Sequence, residues 1–174
     1  ETVYMGNAVD ITPDALILAV SSTGTLGDRG SVYVYQRDNV NDMFSKQQTL
    51  QGKTNGYFGH YLGFRVSMTP NGMFLATASF SGSNGLVILF ARNHKDEFFE
   101  EVGRKYGCAS NEIGFDGLAI EATYDSLLLH TKLQSQECSN ASKIRSFQLE
   151  CVCRNNAFTC RNFEEYPALL CLPI

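Results

Sequence analysis

Cys108, Cys138, Cys151, Cys153, Cys160 and Cys171 are the residues best suited to covalent chemistry in this 174-residue chain. All six fall at or beyond position 108. An even count crowded into a short region is the pattern of a disulfide framework. Zinc is the poorer fit, because Cys151-x-Cys153 has no histidine near it and a tetrahedral site needs paired ligands. Six cysteines allow about fifteen connectivities. If Asn155-Asn156 is a two-residue hairpin turn, Cys153 faces Phe158 and Cys151 faces Cys160. A link from Cys151 or from Cys153 to Cys160 is therefore expected between the last two strands. Asn140-Ala141-Ser142 is an acceptor triplet for N-linked glycan. Such triplets also arise by chance, but beside disulfide-type cysteines Asn140 is expected to be exposed and to carry sugar.

The other reactive side chains do not converge. His60, His94 and His130 stand apart at unrelated positions, and a catalytic or metal site needs several groups together. The commoner reading of each is a surface or hydrogen-bonded histidine. Asp10 and Asp14 are separated by a proline turn, and Leu26–Arg29 offers only Asp28, so no calcium loop is expected. Thr23–Gly30 is rich in glycine but lies between strands rather than before a helix, so it is no phosphate cradle. There is no Gly-x-Ser-x-Gly elbow and no prominent carboxylate pair. The expectation is a chain with no catalytic residue, no cofactor and no metal, and hence not an enzyme.

The elements that must position these residues come from a repeat. Gly6-Asn7-Ala8-Val9 recurs as Gly63-Phe64-Arg65-Val66, 57 positions later. Without a gap, Thr12-Pro13-Asp14 meets Thr69-Pro70-Asn71, Leu18-Ala19 meets Leu75-Ala76, and Ser22 meets Ser79. After a loop shorter by two residues, Gly30–Arg37 meets Gly85–Arg92, and Phe44 then meets Phe99. A third copy is fainter. Gly117 falls on Gly63, Ile120 on Val66, Thr123 on Thr69, Asp125 on Asn71 and Leu129 on Leu75. Repeats of this length mark solenoids, propellers or arrays.

Each copy reads as strand, turn, strand, loop, strand. In Thr-Pro-Asn-Gly the proline presets φ, Asn tolerates the third position and Gly favours the fourth. The segments after the turns, Leu16–Val20, Met73–Ala76 and Leu127–Leu129, are apolar on both faces, as in strands covered on both sides. Gly30–Arg37 has the Val and Tyr content of a strand. Lys143–Glu150 and Phe158–Arg161 are the expected third and fourth strands of the last copy. The charged run Asn93–Lys105 is a loop plus outer strand rather than a helix, because it occupies the register of Asp38–Thr49. The expected fold is all-β: a propeller-like array of about three four-stranded antiparallel blades in one domain over 1–174. Repeat 1 covers about 5–56, repeat 2 about 57–112, and repeat 3 with its disulfide-rich tail about 113–174.

These motifs resemble the FG-GAP type of β-propeller repeat, found in integrin α-chain heads and many secreted proteins. Met5-Gly6, Leu62-Gly63 and Asp116-Gly117 stand at the Phe-Gly position. Ser21-Ser22, Ala78-Ser79-Phe80 and His130-Thr131 stand near Gly-Ala-Pro. Gly30-Ser31-Val32-Tyr33-Val34-Tyr35 is the closest single match, and Phe44–Leu50 resembles the outer strand. The resemblance is clearest over residues 4–107. It implies blade-on-blade packing and a role in contact.

The net charge is −4 and the isoelectric point is near 5.3. No basic patch emerges, which argues against nucleic acid, and no apolar run is long enough to span a bilayer as a helix. Glu1 in first place suits a processed secreted protein or an excised piece of a longer one. The expected function is therefore that of a secreted, extracellular structural or interaction protein. Its partners are further copies of itself, other extracellular proteins or glycans. The alternative is a non-catalytic propeller fragment of a larger extracellular adhesion receptor or hydrolase. A closed propeller typically takes about four to eight blades. Three would leave apolar end faces, expected to hold Val32, Val34, Leu16 and Leu18 at one end and Leu127, Leu129, Phe147 and Leu149 at the other. Stacking one end on the other would give a head-to-tail ring or filament.

Overall fold

The computed structural model describes residues 4–24, 29–51, 61–79, 85–106, 113–122, 127–133, 143–154 and 157–161. Side chains are described through 104 and at 118–120; elsewhere the backbone path is described. Twelve strands make three four-stranded sheets. β1 (Met5–Ile11), β2 (Ile17–Ser22), β3 (Ser31–Gln36) and β4 (Ser45–Gln51) form the first. β5 (Arg65–Met68), β6 (Phe74–Ser79), β7 (Leu86–Ala91) and β8 (Glu100–Tyr106) form the second. β9 (Ile113–Ala122), β10 (Leu127–Leu133), β11 (Lys143–Arg154) and β12 (Ala157–Arg161) form the third. Strands neighbour one another in chain order and every pair is antiparallel. No helix occurs among the described residues. The fold is all-β and propeller-like, as the repeat implies.

The two proline turns are built alike. The amide of Ala15 donates to the Thr12 carbonyl at 2.7 Å, and that of Gly72 to the Thr69 carbonyl at 2.8 Å. Thr12 Oγ1 donates to Asp14 at 2.6 Å and Thr69 Oγ1 to Asn71 at 2.7 Å, so each turn is closed by its own side chains. The residue after the turn is left-handed in both copies, with φ of 57° at Ala15 and 69° at Gly72. A type I turn followed by a left-handed residue is a recurrent way to close an antiparallel hairpin.

The sheets stack face to face. Ile17, Ala19, Val32 and Val34 of the first sheet pack with Val66, Met68, Leu75, Ile88 and Phe90 of the second. Ala76, Ala78, Val87 and Leu89 on the opposite face of the second sheet pack with Ile120 of the third. Every residue of β7 is buried, and the whole of β6 after Phe74. The expectation of strands covered on both faces holds for the second sheet. Fully burying a side chain such as Leu75 contributes roughly 1.5–3 kcal/mol, so these two seams carry the fold.

Register corrects two expectations. Val32 and Val34 are fully buried between the first and second sheets, not on an end face. In the third sheet Leu129 pairs with Ile120 and Phe147, and Leu127 with Ala122 and Leu149. Ile120 is buried on the second sheet, and cross-strand partners in a pleated sheet share a face. Leu127, Leu129, Phe147 and Leu149 thus belong to the rows of the covered face. The alternate rows hold Glu121, Leu128 and Gln148, then Ala119, His130 and Ser146, then Lys132 and Ile144. Ala119 is exposed. The alternate rows thus hold Leu128, Ala119 and Ile144 beside polar residues, and the apolar residues expected on the end face stand instead in the rows of Ile120 and Ala122.

Leu129 also takes a different place from Leu75. Thr77 is the residue opposite Val66, while Leu75 lies opposite Met68. The slip is two residues, which keeps every side chain on its face and so leaves no trace in the apolar pattern.

Candidate functional site

Chemistry-bearing side chains in the described region are mostly spent on joining repeats. Asp10 Oδ2 accepts from the Met68 amide at 2.6 Å, and Ser67 Oγ, its counterpart one repeat on, accepts from the Ile120 amide at 3.2 Å. One polar position in the first strand of each of the first two sheets thus reaches the first strand of the next. Gln48 makes a two-way clasp on Phe99, donating to its carbonyl at 2.9 Å and accepting from its amide at 2.7 Å. Asn7 donates to the Phe64 carbonyl at 3.0 Å.

Arg37 and Arg92 are a repeated latch. Arg37 Nε donates to the Ala15 carbonyl at 2.8 Å, and its guanidinium lies 4.4 Å from the Phe44 ring centre. Arg92 Nε donates to the Gly72 carbonyl at 2.9 Å, and its guanidinium lies 4.5 Å from the Phe99 ring centre. Arg92 Nη1 also donates to the carbonyls of Lys95 at 2.6 Å and Glu97 at 3.4 Å. Arg92 is the more deeply buried of the two, and burial pushes its guanidinium down to about 10, so it stays charged at neutral pH. Its Nη2 and the Gln36 Oε1 are buried polar atoms without a partner in the structure.

Asp14 joins the same end of the seam. The Thr12 hydroxyl, then Lys95, then the Leu16 amide hold its carboxyl well below the usual range, at about 2. Lys95 Nζ lies 2.9 Å away, on a side chain about as exposed as that of Asp14 (37% and 39%). Asn71 occupies the equivalent place and makes the same two turn bonds. Asp14→Asn therefore keeps the turn and removes only the ionic part. It is expected to cost at most about 1 kcal/mol at neutral pH, since exposed pairs are screened. A depressed carboxyl stabilises above its unfolded value of 3.8 and stops doing so as pH falls through about 2. Urea midpoints of the two proteins should differ at neutral pH and converge below that window.

One surface has no such partner among the described residues. The outward rows of the first sheet run Val9–Val20–Tyr33–Thr49 and Ile11–Leu18–Tyr35–Lys46. Their counterparts in the second sheet are Val66–Thr77–Ile88–Arg104 and Met68–Leu75–Phe90–Glu101. In the second sheet these rows are buried under the first, down to the Arg104–Glu101 ion pair at their outer edge. In the first sheet no described residue covers them: Val9 is 56% exposed and Ile11 45%. Two charged side chains lie on this face among the described residues: Lys46, whose Nζ is 5.7 Å from the Tyr33 ring centre, and Arg37, two positions beyond Tyr35 and stacked on Phe44. An apolar face that a sister repeat buries, left open here, is the candidate site.

The residues singled out from the sequence do not assemble into this site. Cys151 and Cys153 lie on β11 and Cys160 on β12, with Cys151 opposite Cys160 and Cys153 opposite Phe158. Cys108, Cys138, Cys171 and Asn140 lie outside the described residues, as do His60, Leu26 and Asp28. His94 is in an exposed turn, 3.1 Å from Asp96, and His130 pairs with Ala119 and Ser146. Among the described residues no three His, Cys, Asp or Glu side chains gather to hold a metal. No described helix is long and apolar enough to cross a membrane. Sequence reasoning passed over the Arg–Phe latch, although Arg37 and Arg92, and Phe44 and Phe99, already stood at matching positions.

No protein-family model matches the chain, and no curated protein matches it by sequence. Among solved structures it is similar to the Penicillium chrysogenum α-L-arabinanase complexed with arabinobiose, with a TM-score of 0.53 and 12% identity. The match covers 99% of this chain and 50% of that one, so the chain spans half the arabinanase's length. The likeness supports a β-propeller-like fold. It also corrects the expectation that the chain is not an enzyme: the solved fold it resembles belongs to one. At this identity the FG-GAP assignment gains no support from it.

Proposed function

We propose that this chain is a propeller-type scaffold that works by contact through the open face of its first sheet, and that the face is covered by the same face of a second copy. The observation carrying this reading is the repeat equivalence of Val9, Val20, Tyr33, Ile11, Leu18 and Tyr35 to rows that the second sheet buries. A two-fold contact between identical faces closes at two copies. Such a contact places apolar rows on apolar rows. The FG-GAP-like motifs and the cysteine pattern support an extracellular setting, with Asn140 carrying glycan.

Light scattering on the intact chain tests this. At micromolar concentration the mass should be twice 19.3 kDa. Ile11→Asp should give 19.3 kDa with an unchanged β-sheet spectrum, because Ile11 is exposed within one copy. A wild-type monomer at every concentration contradicts the reading, as does an Ile11→Asp variant that stays dimeric.

A second reading rests on the fold likeness: the chain as part of a larger propeller hydrolase. Glycoside hydrolysis commonly takes two converging carboxylates. In that reading Asp10 and Asp14 are not among them, because they are tied into the seam and the turn. Release of sugar from an arabinan by the purified chain would favour it.

A further inference from the structure

β10 pairs with β11 from Lys143 to Leu149, and β12 pairs with β11 from Glu150 to Arg154. Among the described residues, Glu150–Arg154 and Ala157–Arg161 thus pair with each other as a two-stranded ribbon at the end of the third sheet.

We propose that a disulfide between Cys151 and Cys160 staples this ribbon, and that Cys153 is not part of that bond. Two residues separate the closing pair, Arg154 and Ala157. In such a hairpin the closing pair exchanges hydrogen bonds, and hydrogen-bonded pairs then alternate with non-hydrogen-bonded ones. Cys153–Phe158 and Cys151–Cys160 are the non-hydrogen-bonded pairs. Cα atoms in such pairs lie about 4.5 Å apart, inside the roughly 4.4–6.8 Å a disulfide spans. Cys153 and Cys160 are diagonal neighbours, about 7–8 Å apart, at or past that limit. The register is the one a two-residue turn at Asn155-Asn156 implies, and of the two expected links it favours Cys151–Cys160. Formation removes two protons and two electrons from the thiols. A disulfide oxidant of the glutathione or oxidoreductase class accepts them and leaves as two thiols.

The bond does not depend on the contact proposed for the first sheet. Material secreted through an oxidising compartment is blocked with an alkylating agent, digested with trypsin without reduction and fragmented in the mass spectrometer. The expected product is Ser146–Arg154 joined to Asn155–Arg161, with fragments across Val152 placing the link on Cys151. Cys151→Ser should abolish the joined peptide, and Cys153→Ser should retain it. A link on Cys153, or alkylated thiols at all three positions in wild-type material, overturns the proposal. Either result leaves the light-scattering outcome untouched, so the two readings fail separately.

Discussion

Gly30→Ala is expected to lower stability by roughly 2–5 kcal/mol, the combined range for a left-handed residue and an overpacked core. Gly30 forms a parallel bridge with Leu62, whose amide donates to the Arg29 carbonyl at 2.9 Å. Leu62 is fully buried in the seam between the first two sheets. A methyl at Gly30 would sit 2.2 Å from the Leu62 carbonyl oxygen and 2.4 Å from its amide nitrogen, at a φ of 72°. Both are backbone atoms, so no rotamer change relieves the clash. Gly6 separates the two causes, because its φ is 86° and nothing lies within 4 Å of its added methyl. Gly6→Ala should cost only about 1–2 kcal/mol. Urea denaturation of both variants measures the difference, and equal losses would mean that the chain crossing at Leu62 is not a fixed point of the seam.

Arg92→Ala should be the next most damaging change, at roughly 3 kcal/mol or more, because charged buried hydrogen bonds are worth about 1.5–3 kcal/mol net. It removes the donor to three carbonyls and the cation over Phe99. Arg92→Lys should recover less than half of this, since one ammonium cannot reproduce a planar fork that bonds and stacks at once. Arg37→Ala should cost clearly less, because Arg37 is only half-buried and its second bond is a long one of 3.4 Å to the Asp42 carbonyl. Thermal denaturation of the three variants gives the order, and a larger loss at Arg37 would refute the account of the latch.

How much of this was legible depended on what each residue had to decide. The turn at Thr69-Pro70-Asn71-Gly72 and the pairing of Leu18 with Leu75 as equivalents could be read directly, because turn chemistry is local and the two copies run ungapped. The charged run after Asn93 was legible as turn and strand for the same reason. Which face of the first sheet meets the second was not. β2 and β3 carry apolar residues on both faces, so composition could not say whether Val32 and Val34, or Tyr33 and Tyr35, meet the second sheet. The two-residue slip of Leu129 was invisible because it preserves face. The Arg–Phe latch needed three dimensions, since Arg92 and Gly72 meet only when the strands pair. Catalytic capacity was judged absent from the lack of a motif, and the arabinanase likeness shows how little that lack decides for this fold.

The claim at the centre is that the outward face of the first sheet is covered in the working molecule. The chain contains no tryptophan, so Tyr33→Trp places a single reporter on that face with little change in shape. If a second copy covers it, the emission at micromolar concentration should be shifted to the blue and shielded from iodide. Both properties should vanish together on dilution or on adding Ile11→Asp. An emission that is water-like and fully quenched at every concentration would contradict the account.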